Sequence, residues 1–204
     1  MSGCCDDDCA ILALRERQRG TLGAVLAINL VMFGVILAGA LVAGSSALLA
    51  DSLDNLGDAL TYGFSLVVVA GGPAAKARVA LFKGALILAA ALGVAVQIAW
   101  KLANPATPIF ELMGAFSALA LVANSLCLTL LWRHRHEDIN MSSVWECSRN
   151  DIATNVSVFV AAGAVWLFDA PWPDLVVAAA LVVMLLRSSS RVLSSALDQL
   201  RAAT

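Results

Sequence analysis

Three aspartates interrupt one apolar segment of the sequence, at positions 51, 54 and 58. At about 100° of helical rotation per residue these positions form one stripe, and Asp54 and Asp58 lie a single turn apart. A charged residue near the centre of a bilayer costs roughly 2.5–3.5 kcal/mol, so three on one helix face favour a polar pathway over simple packing. For Asp51, which lies nearer the start of the segment, helix capping or a structural hydrogen bond is an equally good interpretation.

A second polar stripe lies in a later apolar segment, where Cys147, Asp151 and Asn155 share one helical face. If the two helices are antiparallel in one bundle, the two stripes can face each other near the midplane. Three carboxylates and a thiolate in a dry site need bound protons or a cation, which is the condition for a divalent metal site. One sulfur among oxygens favours borderline-soft ions such as zinc and cadmium. The candidate metal ligands are Asp54, Asp58, Cys147 and Asp151, with Asn155 as a candidate to hydrogen-bond a ligand and Asp51 as a candidate accessory ligand.

Two more groups of metal-binding residue types lie outside these segments. Cys4, Cys5 and Cys9 stand among aspartates near the N-terminus, and His134 and His136 stand in a charged stretch. Both are candidate accessory sites that could collect a cytosolic metal. The alternatives are a polar terminus with incidental thiols and a solvated charged loop.

The composition of the whole chain indicates the environment in which these residues lie. Of the 204 residues, 60% are hydrophobic and 14% are charged, and the formal net charge is −2. Such a chain is too apolar for a soluble domain, so we expect it to lie in a lipid bilayer. It lacks the excess of basic residues that binds nucleic acid, so nucleic acid is not an expected partner.

The apolar runs predict an all-α membrane protein, a six-transmembrane-helix bundle. We expect a Cys- and Asp-containing N-terminal tail at 1–20, the transmembrane domain at 21–190 and a short tail at 191–204, with 188–201 extending the last helix. Basic residues concentrate on one side, which predicts an inner cell membrane location with both termini cytoplasmic. The expected spans are 21–43, 46–71, 79–103, 112–132, 143–168 and 173–190.

Two stretches of the sequence resemble the cation diffusion facilitator family of metal efflux transporters: SALLADSLDNLGDAL and RHEDINMSSVWECSRNDIATNVSVFVAA. Pro173 and Asp174 are also similar to that family. Its transport site consists of a ligand pair four residues apart on each of two helices, which here correspond to Asp54 with Asp58 and Cys147 with Asp151. Histidine is usual at the position of Cys147.

The resemblance implies a homodimer that exports divalent cations such as zinc or cadmium by alternating access in exchange for protons, with no prosthetic group. The family normally carries a cytoplasmic metal-binding domain after the sixth helix, and this sequence stops at Thr204. We therefore expect a short form without it. A membrane sensor or accessory subunit that binds metal without transporting it is the alternative. An enzyme is not expected, because the sequence has neither a nucleophile beside a histidine base nor a His-Glu-x-x-His motif.

Overall fold

The computed structural model describes residues 4–68, 73–132 and 139–202, which form six α-helices and no strand within those ranges. The predicted all-α architecture is therefore confirmed. The helices are α1 (Cys4–Ala43), α2 (Ser46–Val68), α3 (Pro73–Ala103), α4 (Phe110–Trp132), α5 (Ile139–Phe168) and α6 (Trp172–Ala202).

Five of the helices are long and apolar enough to cross a membrane, so the chain is an integral multi-pass membrane protein. The five stretches are Arg19–Ala43, Ala77–Ala103, Phe110–Trp132, Ser148–Phe168 and Trp172–Arg201. Helix α2 has the length to span, at 23 residues, but its aspartates make it more polar than the other five. A sixth crossing by α2 remains a prediction.

The first and last helices are longer than their expected spans. Helix α1 begins at Cys4 instead of residue 21, because the leucine-, arginine- and glutamate-containing stretch before Gly20 consists of good helix formers. Helix α6 continues to Ala202, which confirms that 188–201 extends the last helix. Helix α3 begins at Pro73, six residues before the predicted start, and the other helix ends lie within four residues of the predicted ones.

Contacts near Gly44 join several helices at one end of the bundle, which we call the Gly44 end. Gly44 has a φ of 64°, a left-handed conformation that suits glycine and ends α1. The Ile109 backbone N–H donates to the Ala43 carbonyl at 2.9 Å, and Lys101 Nζ donates to the Gly44 carbonyl. Helices α1 and α3 therefore end where α2 and α4 begin. The other end, where α3 begins, is called the Arg78 end.

One buried carboxylate on α6 holds the start of α2 at the Gly44 end. Asp174 accepts hydrogen bonds from Ser45 Oγ at 2.6 Å, from the Ser46 N–H at 2.9 Å and from the Ala47 N–H at 3.0 Å. Lys101 Nζ lies 3.8 Å from the same carboxylate. The first N–H groups of a helix have no partner within it, so Asp174 caps α2 from another helix.

Helix α2 lies at the centre of the bundle and contacts each of the other five helices. Helix α3 packs mainly on α6, and α4 packs mainly on α5. Large apolar side chains such as Val31, Val96 and Leu167 are more than 60% exposed, as expected for a surface that faces lipid. The polar residues of α2 are therefore kept inside the bundle by the helices around it.

Candidate metal site

The central feature of the bundle is a cavity of about 290 Å³ between α2, α3, α5 and α6. Apolar side chains from α3 and α6, such as Ile87 and Leu185, form part of its wall. The polar and charged side chains that line it are Asp54, Asp58, Thr61, Lys83, Asn150, Asp151, Thr154, Ser188 and Ser189. A largely apolar wall with a few convergent polar groups is typical of a binding site.

Carboxylates from two antiparallel helices meet in this cavity. Asp54 and Asp58 come from α2, one turn apart, and Asp151 comes from α5. The carboxyl groups of Asp58 and Asp151 lie close enough in the cavity to interact directly. Two carboxylates in contact repel unless a proton or a cation lies between them, so this pair is suited to exchange one for the other.

Two neighbours on α2 support the Asp58 carboxylate and its surroundings. Tyr62, which is 1% exposed, donates a hydrogen bond from its hydroxyl to Asp58 Oδ2 at 3.3 Å. Thr61 donates to the Gly57 carbonyl at 2.7 Å. The sequence analysis did not single out Tyr62, although its position one turn after Asp58 is the signal that could have identified it.

A lysine from α3 also lines the cavity. Lys83 is half-buried, and its Nζ donates a hydrogen bond to Thr61 Oγ1. Its charge acts on Asp58. Among the described residues that line the cavity, Lys83 is the sole basic one against three aspartates. With all four groups ionised the cavity carries two negative charges, which a divalent cation would balance.

Asp51, unlike Asp54 and Asp58, is not among the described residues that line the cavity. It is 2% exposed, and its Oδ2 has no hydrogen-bond partner among the described residues. Asp51 is thus buried in the bundle. Its role as an accessory ligand and its alternative role in a structural hydrogen bond both stay predictions.

Asn155 lies one turn beyond Asp151 on α5 and is fully buried. Neither its amide oxygen nor its amide nitrogen has a hydrogen-bond partner in the described part of the chain. It is also absent from the described lining of the cavity. Asn155 thus forms no hydrogen bond with Asp54, Asp58 or Asp151, and its hydrogen bond to a metal ligand stays a prediction.

Several other candidate residues lie outside the described part of the chain. Cys147 is on α5, but its side chain is not among those described, and the same holds for Cys4, Cys5 and Cys9 on α1. His134 and His136 lie in the stretch 133–138, which the description does not cover. Among the described side chains, no group of three or more His, Cys, Asp or Glu residues converges as a metal site.

Cys127 is buried on α4 and apart from the cavity. Asn29 of α1 donates from its amide nitrogen to Cys127 Sγ at 3.9 Å and to the Val25 carbonyl at 3.0 Å. Through these contacts Cys127 packs inside the bundle and Asn29 joins α1 to α4.

Comparison with known proteins identifies the family of the chain. A search of curated proteins finds no match to the chain. The sequence model of the cation efflux transmembrane domain matches residues 22–201, which include all the described cavity-lining residues. The chain therefore belongs to the cation efflux, or cation diffusion facilitator, family of transporters.

Proposed function

We propose that the protein exports zinc- or cadmium-like divalent cations by metal/proton antiport. The cation is the cargo and binds to Asp54, Asp58, Cys147 and Asp151. No prosthetic group is needed, because binding and release of the ion are the whole reaction. The observation that carries the proposal is the contact between Asp58 and Asp151, which joins carboxylates from two antiparallel helices inside a cavity within the bundle.

The position of the cavity along the bundle supports loading from the Arg78 end. The lining residues nearest the Gly44 end are Ala50 on α2 and Leu181 on α6, while Ser188 and Val192 extend the lining toward the Arg78 end. At the Gly44 end, Asp174 ties α6 to the start of α2. The cavity extends along the bundle toward the Arg78 end, and this supports loading of the carboxylates from that end.

The distribution of basic residues supports a cytoplasmic Arg78 end. Among the described residues, Lys101 is the sole lysine or arginine at the Gly44 end, and the others lie toward the Arg78 end. Cytoplasmic ends of membrane proteins carry an excess of lysine and arginine. Both termini are then cytoplasmic, in an inner cell membrane, and the family resemblance favours a homodimer.

Proton exchange follows from the carboxylates themselves. Metal ligands must be deprotonated to bind a cation, so binding releases protons and protonation releases the cation. When the site opens to the outside, protons compete for Asp58 and Asp151 and the metal leaves. A second state of the bundle, open at the Gly44 end, is required for this cycle.

The preference for zinc or cadmium rests on Cys147. Carboxylates alone suit hard ions such as magnesium and manganese, whereas a thiolate adds affinity for softer ions. The usual histidine at this position suits zinc, so cysteine shifts the preference further toward cadmium.

The test is zinc and cadmium flux into proteoliposomes with a proton gradient imposed. Asp58→Asn and Asp151→Asn should each abolish gradient-driven flux, because each removes a charge from the contact pair while keeping its shape. Asp198→Asn is the matched control, since Asp198 is exposed on α6 and lies outside the cavity. It should keep the wild-type flux.

Unchanged flux in both cavity variants would overturn the site. Stoichiometric metal binding with no flux in the wild-type protein would overturn transport and favour the sensor or accessory subunit.

A further inference from the structure

Lys83 is an unusual residue for a cation-binding cavity, because a positive charge repels the ion that the cavity is proposed to hold. It lies in the interior of α3, with apolar residues on both sides in the sequence. Its ammonium group nevertheless lines the cavity with the three aspartates instead of turning to the lipid surface. A lysine that merely served to place α3 at the membrane surface would extend away from the bundle toward the headgroups.

The packing of α3 holds Lys83 at this place. The next residue, Gly84, is buried against α6, and a Cβ atom added there would lie 2.9 Å from Leu193 Cγ. This close approach fixes which face of α3 meets the cavity. The Lys83 ammonium then donates to Thr61 Oγ1, and Thr61 is one helical turn from Asp58.

The charges explain what the ammonium group does to the site. Asp54, Asp58 and Asp151 together with Lys83 leave two uncompensated negative charges when all are ionised. Without Lys83 the same carboxylates leave three. The attraction between the site and an ion grows with both charges, so Lys83 weakens the binding of every cation and weakens it more for ions of higher charge.

We propose that Lys83 is a built-in counter-charge of the transport site, a positioning residue that matches the site to divalent cations and keeps their binding weak enough for release. The inference rests on the proposed function, since it concerns the same carboxylates. Lys83 attracts Asp58 when the metal is absent and repels the metal when it is present. Both effects lower affinity, and both are lost when the ammonium group is removed.

The test measures cadmium and lanthanum affinity of the purified full-length protein in detergent by titration calorimetry. Lys83→Met removes the charge and keeps most of the stem. It should bind Cd²⁺ about tenfold more tightly than the wild type and La³⁺ about thirtyfold more tightly, because the lost repulsion is proportional to the charge of the ion. A merely structural role for Lys83 would not produce this dependence on ion charge.

Two further variants complete the comparison. Lys83→Arg keeps the charge and should restore the wild-type affinities. Arg187→Met removes a positive charge from the exposed face of α6, outside the cavity and within one turn of Ser188 along the chain, and should leave both affinities unchanged. If Lys83→Met does not yield folded protein, Lys83→Gln supplies the same loss of charge with a head group that can keep the hydrogen bond to Thr61.

The outcomes separate this inference from the proposed function. Equal or weaker Cd²⁺ affinity in folded Lys83→Met, with binding still weakened by Asp58→Asn, would overturn the role of Lys83 alone. The same fold-change for Cd²⁺ and La³⁺ would also overturn it. A wild-type protein that binds no Cd²⁺ would overturn the proposed function and the Lys83 inference with it.

Discussion

Replacing Asp174 by alanine should destabilise the bundle strongly although the residue lies far from the cavity carboxylates. Its buried side chain accepts three hydrogen bonds at 2.6–3.0 Å and lies 3.8 Å from Lys101 Nζ. Alanine would leave the Ser46 and Ala47 N–H groups without a partner at the buried start of α2. It would also leave the Lys101 ammonium without its partner carboxylate.

The expected loss can be worked from these contacts. Removing one partner of a buried ion pair costs about 3–5 kcal/mol. Each kcal/mol shifts the melting temperature of a chain of this size by about 2–4 °C, so Asp174→Ala should melt roughly 6–20 °C below the wild type. Asp174→Asn keeps an acceptor oxygen and loses the charge, and it should lose about 1–3 kcal/mol.

Thermal unfolding in detergent, followed by tryptophan fluorescence, measures this loss. Asp198→Asn is the control, because the Asp198 and Arg201 side chains are 75% and 79% exposed and their pair contributes little. Hydrogen exchange should show the Ser46 and Ala47 amides losing protection in Asp174→Ala. A melting temperature within about 2 °C of the wild type would refute the reasoning, since that shift corresponds to no more than 1 kcal/mol.

Three further predictions concern packing, selectivity and pH. Gly39→Ala would place a Cβ atom 2.5 Å from the Phe116 ring, so the ring must move. The free energy of unfolding should fall by about 1–3 kcal/mol, and an unchanged melting curve would contradict this close packing. Cys147→His should keep flux and lower the ratio of cadmium to zinc transport measured in the same vesicles, and an unchanged ratio would exclude Cys147 as a ligand. Cadmium affinity should fall as the pH is lowered, because protons compete for the ligands, and calorimetric titrations that give one affinity from pH 8 to pH 6 would contradict carboxylate ligation.

Much of the architecture could be predicted from local properties of the sequence. The apolar runs indicate the helices, and the Gly44 turn ends α1 where expected. Helical periodicity placed Asp58 and Asp151 on stripes that can face each other, and their carboxyl groups do meet. These features depend on residues within a few helical turns of one another, so their spacing in the sequence is enough to predict them.

The rest depends on contacts between helices that local spacing does not contain. Periodicity put Asp51 on the stripe with Asp54, but the contacts of α2 with its neighbours decide that Asp51 is buried and is not among the described residues that line the cavity. Lys83 is not among the site residues predicted from the sequence, and its place in the cavity follows from the packing of α3 on α6. Asp174 caps a helix that begins 128 positions earlier in the chain. Each of these outcomes is decided by tertiary packing.

The central claim is that Asp58 and Asp151 hold one cation between them, and a double-mutant cycle in cadmium affinity tests it most directly. Asp58→Asn, Asp151→Asn and the double variant would be compared with the wild type by titration calorimetry in detergent. If the two carboxylates act as one site, either single change should lose nearly as much affinity as both together. Losses that simply add would mean that the two aspartates act independently, which would contradict the account.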